Sequence, residues 1–111
     1  KQKIEQIARL RKTANSFFSK ESNVFRSFSE MEKLTFIDGA MSKMNKELIA
    51  VGISVVINCE SCMEWHIKQA LDDGATGGEI LEAIGVGIEM SGGPGTVSAR
   101  FAMNVLEYYQ K

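Results

Sequence analysis

The chain has 111 residues, of which 44% are hydrophobic and 24% charged, and 13 basic against 14 acidic residues give a net charge of −1. This composition is typical of one globular domain and excludes the strongly basic surface that nucleic acids or anionic membranes select. With no run of 18 apolar residues and no signal-peptide pattern, we expect a cytoplasmic protein without a membrane or nucleic-acid partner.

Two amphipathic helices are predicted in the first 34 residues, because apolar side chains recur there at spacings of three and four. The stripe of the first helix, from Lys1 to about Ser19, consists of Ile4, Ile7, Ala8, Arg11, Ala14, Phe17 and Phe18. The stripe of the second, from Glu21 to Leu34, consists of Val24, Phe25, Phe28, Met31 and Leu34. We expect the stripe of the first helix to pack in the core, and neither helix carries a motif.

The segment from Lys46 to Asn58 is apolar on all sides and rich in β-branched residues, so it could be a buried strand or a helix. A strand entering Cys-x-x-Cys and a helix is the arrangement of thioredoxin-like folds. The length of the run, about twelve residues, favours a helix because strands usually have about five or six.

Further helices are predicted downstream. The segment Met63 to Asp72 is expected to be helical and to stop at Asp73-Gly74, and Thr76 with Glu79 forms a capping box for the next helix. Gly85 and Gly87 in that helix are interpreted as places where another helix approaches closely. A breaker loop is predicted over 91–95 and a last helix from Thr96 to Gln110.

Both cysteines and the only histidine lie within residues 59–66. A Cys-x-x-Cys pair is typical of a redox dithiol, half of a zinc site or a small structural disulfide. If the segment is helical, Cys62 and His66 lie one above the other, whereas Cys59 is roughly 10 Å from His66 along the axis. Cys59 near the helix start would feel the positive end of the helix dipole, which favours thiolate.

Glu47 lies twelve residues before Cys59, and Cys62 and His66 follow with two and three residues between successive members, while Gly74-Ala75-Thr76 lies downstream. With this motif the sequence resembles the alkylhydroperoxidase D branch of the carboxymuconolactone decarboxylase family. The resemblance covers about 38–90, with the last helix as a plausible closing element. Residues 1–37 are interpreted as N-terminal helices without a motif and 38–111 as the family-like core, in one structural domain.

The resemblance implies an all-α protomer that assembles into trimers or hexamers, and it favours the helix over 46–58. It also implies a thiol-dependent peroxidase in which Cys62 is the attacking thiolate, Cys59 the resolving cysteine, and Glu47 with His66 the proton relay. The implied partners are a hydroperoxide substrate and a thioredoxin-like or dihydrolipoyl-type protein that returns electrons. No cofactor and no metal are implied.

This chain has Ser61 where alkylhydroperoxidase D has a second histidine, and it is shorter at the N-terminus. Lactone decarboxylation is not expected, because that branch does not depend on a Cys-x-x-Cys pair. Two alternatives remain at this point. One is a general thiol-disulfide reductase without peroxide preference, and the other is a metal-binding module that uses Cys59, Cys62, His66 and Glu47.

Overall fold

A computed structural model describes residues 1–110, which fold into six α-helices joined by short turns. The helices are α1 (Gln2–Glu21), α2 (Asn23–Thr35), α3 (Lys43–Val56), α4 (Glu60–Asp72), α5 (Gly77–Ser91) and α6 (Gly93–Gln110). The all-α fold class is therefore confirmed. Since these residues form no strand, a thioredoxin-like sheet is excluded for the described part of the chain.

The ambiguous apolar segment forms α3, the central helix of the fold. Ser42 caps it by accepting a hydrogen bond from the backbone N–H of Asn45. α3 packs against α4 on one side and α5 on another, and it buries Val51 and Val55 completely. Burial between two helices thus overrides the modest helix propensity of its β-branched residues.

The core lies among α3, α4, α5 and α6, and α1 covers it from the side of α4. Its fully or almost fully buried apolar side chains include Ile4, Val51, Val55, Met63, Ile67, Ile80, Ile84, Ala102 and Val105. α2 packs against α1 and contributes no buried residue. The N-terminal helices therefore form a hairpin at the edge of a four-helix core.

The expected burial of the first stripe is wrong at two phenylalanines, and most of the second stripe is exposed as well. Phe17 and Phe18 are 62% and 45% exposed, and Phe28 is 54% exposed. Val24, Met31 and Leu34 are also exposed. The reason is that the hairpin of α1 and α2 packs mainly on α4, so much of both stripes has little within the protomer to pack against.

The helix ends follow local chemistry. Both hydrogen bonds of the predicted capping box between Thr76 and Glu79 are present, and Gly74, with φ of 101°, follows the end of α4 as expected. α6 begins at Gly93 instead of Thr96, so the predicted breaker loop is too long. Pro94 fits the first turn because the N–H that it lacks has no partner there, and Gly92, with φ of 72°, makes the turn.

α3 and α5 cross closely at one pair of glycines. A Cβ atom on Gly87 would lie 2.6 Å from the carbonyl oxygen of Gly52, whereas a Cβ on Gly85 would meet nothing within 4 Å. The expected close approach is thus confirmed at Gly87 and wrong at Gly85. None of the helices in residues 1–110 combines the length and the hydropathy needed to cross a bilayer.

Candidate active site

The two cysteines lie at the junction of α3 and α4. Asn58, with a positive φ of 53°, turns the chain after α3, a conformation that asparagine adopts more readily than most residues. Cys59 is the N-cap of α4, and its Sγ accepts a hydrogen bond from the backbone N–H of Cys62 at 3.2 Å. The two cysteines form a disulfide, with their Cα atoms 5.2 Å apart. The helix dipole therefore points its positive end at this pair.

His66 lies one turn beyond Cys62 on α4, and both residues line the same cavity. The Nδ1 atom of His66 is 2.6 Å from Oε1 of Glu47 on α3, and because a carboxylate accepts, Nδ1 donates. The ring of Phe36 lies 5.1 Å from the imidazole, centroid to centroid. The fold thus brings together all four residues singled out in the sequence, although Glu47 and His66 are 19 positions apart.

Glu47 is only 2% exposed, and its second oxygen also has a partner. The Nζ atom of Lys43 lies 3.1 Å from Oε2 of Glu47 and 2.7 Å from Oδ2 of Asp73. Partial burial lowers the pKa of Lys43, but its hydrogen bonds and charge interactions with Asp73 and Glu47 outweigh that effect and raise the pKa above the ordinary value. A cation therefore faces the buried carboxylate that holds the imidazole.

A cavity of about 360 Å³ opens beside Cys62 between α1, α2 and α4. Its aromatic wall is formed by Phe25, Phe28 and Trp65. Its polar lining comes from Arg11, Asn15, Ser29, Glu32, Ser61 and His66. A small molecule with an apolar body and a polar reactive group could enter here and reach the Cys62 sulfur.

A second buried carboxylate, Glu64, lies on α4 and is fully buried. Arg11 forms an ion pair with its Oε1, and the hydroxyl of Tyr109 donates to its Oε2. Burial, followed by the hydrogen bond and negative charge of Glu64, raises the pKa of Tyr109 above its ordinary value. The phenol therefore keeps its proton throughout the neutral range.

Sequence reasoning missed the charged partners of this site. The Lys43–Glu47 pair had a local signal, because residues four apart on a helix are neighbours. The sequence also offered an indication for Arg11, because it is a cation on the otherwise apolar stripe of the first helix. Asp73 and Tyr109 had none, because they reach the site only through the tertiary packing of α3, α4 and α6.

The metal-binding alternative finds no support in the geometry. Residues 1–110 contain no group of three or more His, Cys, Asp or Glu side chains arranged to hold a metal ion. The sulfurs of Cys59 and Cys62 are bonded to each other, and the imidazole is engaged by Glu47. The arrangement instead suits thiol-disulfide chemistry next to a proton acceptor.

Two curated relatives resemble most of the chain. A Paracoccus denitrificans protein named "uncharacterized protein 4 in cox locus" is 42% identical over 81 residues, which are 73% of this chain and 73% of that protein. A Cupriavidus necator protein, also uncharacterized, is 37% identical over 83 residues, which are 75% of this chain and 71% of that protein.

The fold is shared with solved structures. An apo carboxymuconolactone decarboxylase family protein from Legionella pneumophila superposes with a TM-score of 0.93 at 31% identity, covering 100% of both chains. A protein of the same family from Thermotoga maritima gives a TM-score of 0.87 at 23% identity, covering 95% of this chain and 90% of the other. The family pattern itself matches residues 22–104. The chain therefore belongs to the carboxymuconolactone decarboxylase family.

Proposed function

We propose that this protein is a thiol-dependent peroxidase of the alkylhydroperoxidase D type, which reduces hydroperoxides through the Cys59–Cys62 dithiol. The observation that carries the proposal is that Cys62, at the start of α4, lines the same cavity as His66, whose Nδ1 atom is held by Glu47. Membership of the family supports the proposal, because that family includes enzymes that use this chemistry.

The reaction begins with the reduced dithiol. The Cys62 thiolate attacks the O–O bond of the hydroperoxide, forming an S–O bond and releasing an alkoxide, so that Cys62 becomes a sulfenic acid. The thiol of Cys59 then displaces water from that sulfenic acid, and the disulfide forms. Each hydroperoxide thus takes two electrons from the dithiol and yields one alcohol and one water.

His66 is proposed to move the protons. With Nδ1 donating to Glu47, the free Nε2 atom can accept the proton of the Cys62 thiol and later return it to the alkoxide. An ordinary thiol with a pKa near 8.5 is mostly protonated at neutral pH, so a nearby base raises the thiolate fraction. Lys43 balances the charge of Glu47 during this cycle.

The disulfide must be reduced for a second turnover. We propose a thioredoxin-like or dihydrolipoyl-type dithiol protein as the electron donor, which would attack the disulfide, form a mixed disulfide and leave as its own disulfide. A reducing compartment such as the cytoplasm would sustain this cycle.

We also propose that the protomers assemble into a trimer or hexamer. An apolar groove of about 550 Å³ runs between α3 and α5. It is lined by Leu48, Ile49, Gly52, Ile53, Val56, Ala83, Val86, Gly87 and Met90, without a charged residue. A second copy of the chain would cover this exposed apolar lining and remove it from water.

Single-cysteine variants test the proposed roles. Cys62→Ser should lose hydroperoxide consumption with a dithiol donor, because the thiol that is proposed to attack the hydroperoxide beside His66 is gone. Cys59→Ser should still react once and gain one oxygen atom at Cys62, visible by intact mass. Equal peroxide consumption by Cys62→Ser and wild type would refute the assignment. A wild-type dithiol that exchanges with disulfides but ignores hydroperoxides would leave the general thiol-disulfide reductase.

A further inference from the structure

Arg11 joins the first helix to the redox motif, although α1 carries no motif of its own. Its Nη2 atom donates to the backbone oxygen of Ser61 at 3.0 Å and to the Ser61 hydroxyl at 3.3 Å. Its guanidinium lies 5.0 Å from the centre of the Trp65 ring and forms an ion pair with Glu64. The Arg11 side chain thus contacts Ser61, one of the two residues between the cysteines, and also Glu64 and Trp65 just beyond them.

Arg11 also places a positive charge in the cavity beside Cys62. The charged or titratable side chains lining the cavity beside Cys62 are Arg11 from α1, Glu32 from α2 and His66 from α4. Behind His66 lies Glu47 from α3, and Glu60 on α4 pairs with Lys3. Arg11 is the fixed cation of this cavity and is mostly buried, with 18% of its side chain exposed. Water therefore screens its charge only weakly.

The anionic partner of Arg11 borders a different cavity from Cys62. Glu64 does not line the cavity beside Cys62 but a separate one, with Lys68 and Tyr109, on the side of α6. Arg11 contacts both cavities. Of this ion pair, only the guanidinium therefore borders the cavity that contains Cys62.

We propose that Arg11 is a positioning residue of the dithiol, which fixes the Ser61 segment against α1 and stabilises the reduced, thiolate form of Cys62. A cation close to a cysteine favours thiolate, and stabilising the thiolate stabilises the dithiol over the disulfide. The inference rests on the proposed function only in taking Cys62 as the reactive thiol. It assigns α1 a role in the chemistry of a motif carried by α4.

The test uses the pH dependence of Cys62 alkylation by iodoacetamide in reduced protein carrying Cys59→Ser, so that one thiol is observed. Arg11→Met alone would leave the buried Glu64 carboxylate without its cation, so the variant to use is the pair Arg11→Met and Glu64→Gln. In this double variant the pH midpoint of Cys62 alkylation should rise by about half a pH unit or more, since a nearby opposite charge shifts a pKa by about 1–3 units before screening.

Three control variants distinguish the proposed role of Arg11 from a general effect of net charge or of helix packing. Arg9→Met removes an exposed cation from the same helix and should leave the midpoint unchanged. Glu64→Gln alone keeps the Arg11 guanidinium and should not raise the pH midpoint of Cys62 alkylation. Arg11→Lys retains a cation opposite Glu64 and should fold, but it lacks the planar fork that reaches Ser61 and Trp65 together, so we expect a smaller rise.

An alkylation midpoint that is unchanged in both the double variant and Arg11→Lys would overturn the inference. If the double variant does not fold, Arg11→Lys decides alone. In protein with both cysteines, the reduction potential of the double variant should become more negative, while that of Arg9→Met should not move. These readouts use no peroxide, so a dithiol that resists hydroperoxides but shows the shift would refute the proposed function and leave the role of Arg11 standing.

Discussion

Glu47 is a nearly fully buried carboxylate whose two oxygens have different partners, the imidazole of His66 and the ammonium of Lys43. This pairing fixes which imidazole nitrogen is free. A proton on Nδ1 is held by Glu47, so Nε2 is available as a base. A change that preserves the shape of Glu47 but removes its charge therefore tests the relay directly.

Glu47→Gln should slow oxidation of the dithiol by a hydroperoxide by about 10²-fold at neutral pH, because general-base assistance contributes about 10²–10⁴-fold. Stopped-flow tryptophan fluorescence or quenched thiol counting would measure the rate. Glu60→Gln is the matched control, since Glu60 lies in the same motif but pairs only with Lys3 at the surface. Equal rates in Glu47→Gln and Glu60→Gln would remove Glu47 from the relay.

Lys43→Met should lower the free energy of unfolding by about 1–3 kcal/mol, the usual cost of leaving a buried polar group without a partner. Denaturant unfolding followed by circular dichroism would measure the loss. Lys33→Met, at an exposed position of α2, is the control and should stay within about 0.5 kcal/mol of wild type.

The contribution of Lys43 should also depend on pH. Its folded pKa is raised above 10.5, so its stabilisation is fully present below pH 10.5 and is lost as the pH rises through the raised value. The stability gap between wild type and Lys43→Met should accordingly narrow only in strongly alkaline solution. A gap that closed between pH 6 and 8 would show that another group is responsible.

At this scale the sequence predicted which four residues meet, but not why they stay together. The helical spacing alone placed Cys62 below His66, whereas the inclusion of Glu47 came from the family resemblance. The ion pairs of Lys43 with Asp73 and of Arg11 with Glu64 join separate helices, and their geometry depends on packing that residue spacing does not encode.

Among the helices, α3 decides both the fold and the site, because its buried face carries Glu47 at one end and leads into Cys59 at the other. Its β-branched sequence left strand and helix open, and only its length and the family resemblance favoured the helix. The sequence pattern predicts the start of α6 three residues too late, because Pro94 is typical of a loop, although proline is also well suited to a first helical turn.

Because α3 and α5 cross closely at only one of two glycines in α5, we expect alanine substitutions at these glycines to have opposite effects on stability. Gly87→Ala should destabilise the protein by about 1–3 kcal/mol, because the new methyl group would collide with the backbone of Gly52. Gly85→Ala should instead be neutral or stabilise it by up to about 1 kcal/mol, since space is open and alanine favours helix. Thermal unfolding of both variants measures the difference, and equal losses would contradict the close crossing.

For the molecule as a whole, the surface area argues for association. The protomer exposes 6975 Å², whereas a folded monomer of 12.3 kDa is expected to expose about 6,100 Å². Large exposed apolar side chains lie on α1, on α2 and in the groove between α3 and α5. Patterning predicted these stripes correctly as apolar, but a single sequence does not distinguish a core face from one that another copy covers.

Ile53→Glu should shift the protein toward monomers, because this side chain is 53% exposed and lines the groove between α3 and α5. Sedimentation velocity would measure the assembly state. Val97→Glu places the same charge at a comparably exposed position of α6 outside the groove and should leave assembly unchanged. A wild-type protein that is already monomeric at high concentration would contradict the proposed assembly.

The most direct test of the account is the intact mass and thiol count of the reduced protein before and after one equivalent of an organic hydroperoxide. The account predicts that both thiols disappear and that the protein loses about two mass units, because the sulfenic acid on Cys62 is resolved by Cys59 within the chain. Two thiols that survive the hydroperoxide but are oxidised by a disulfide reagent would contradict the peroxidase assignment.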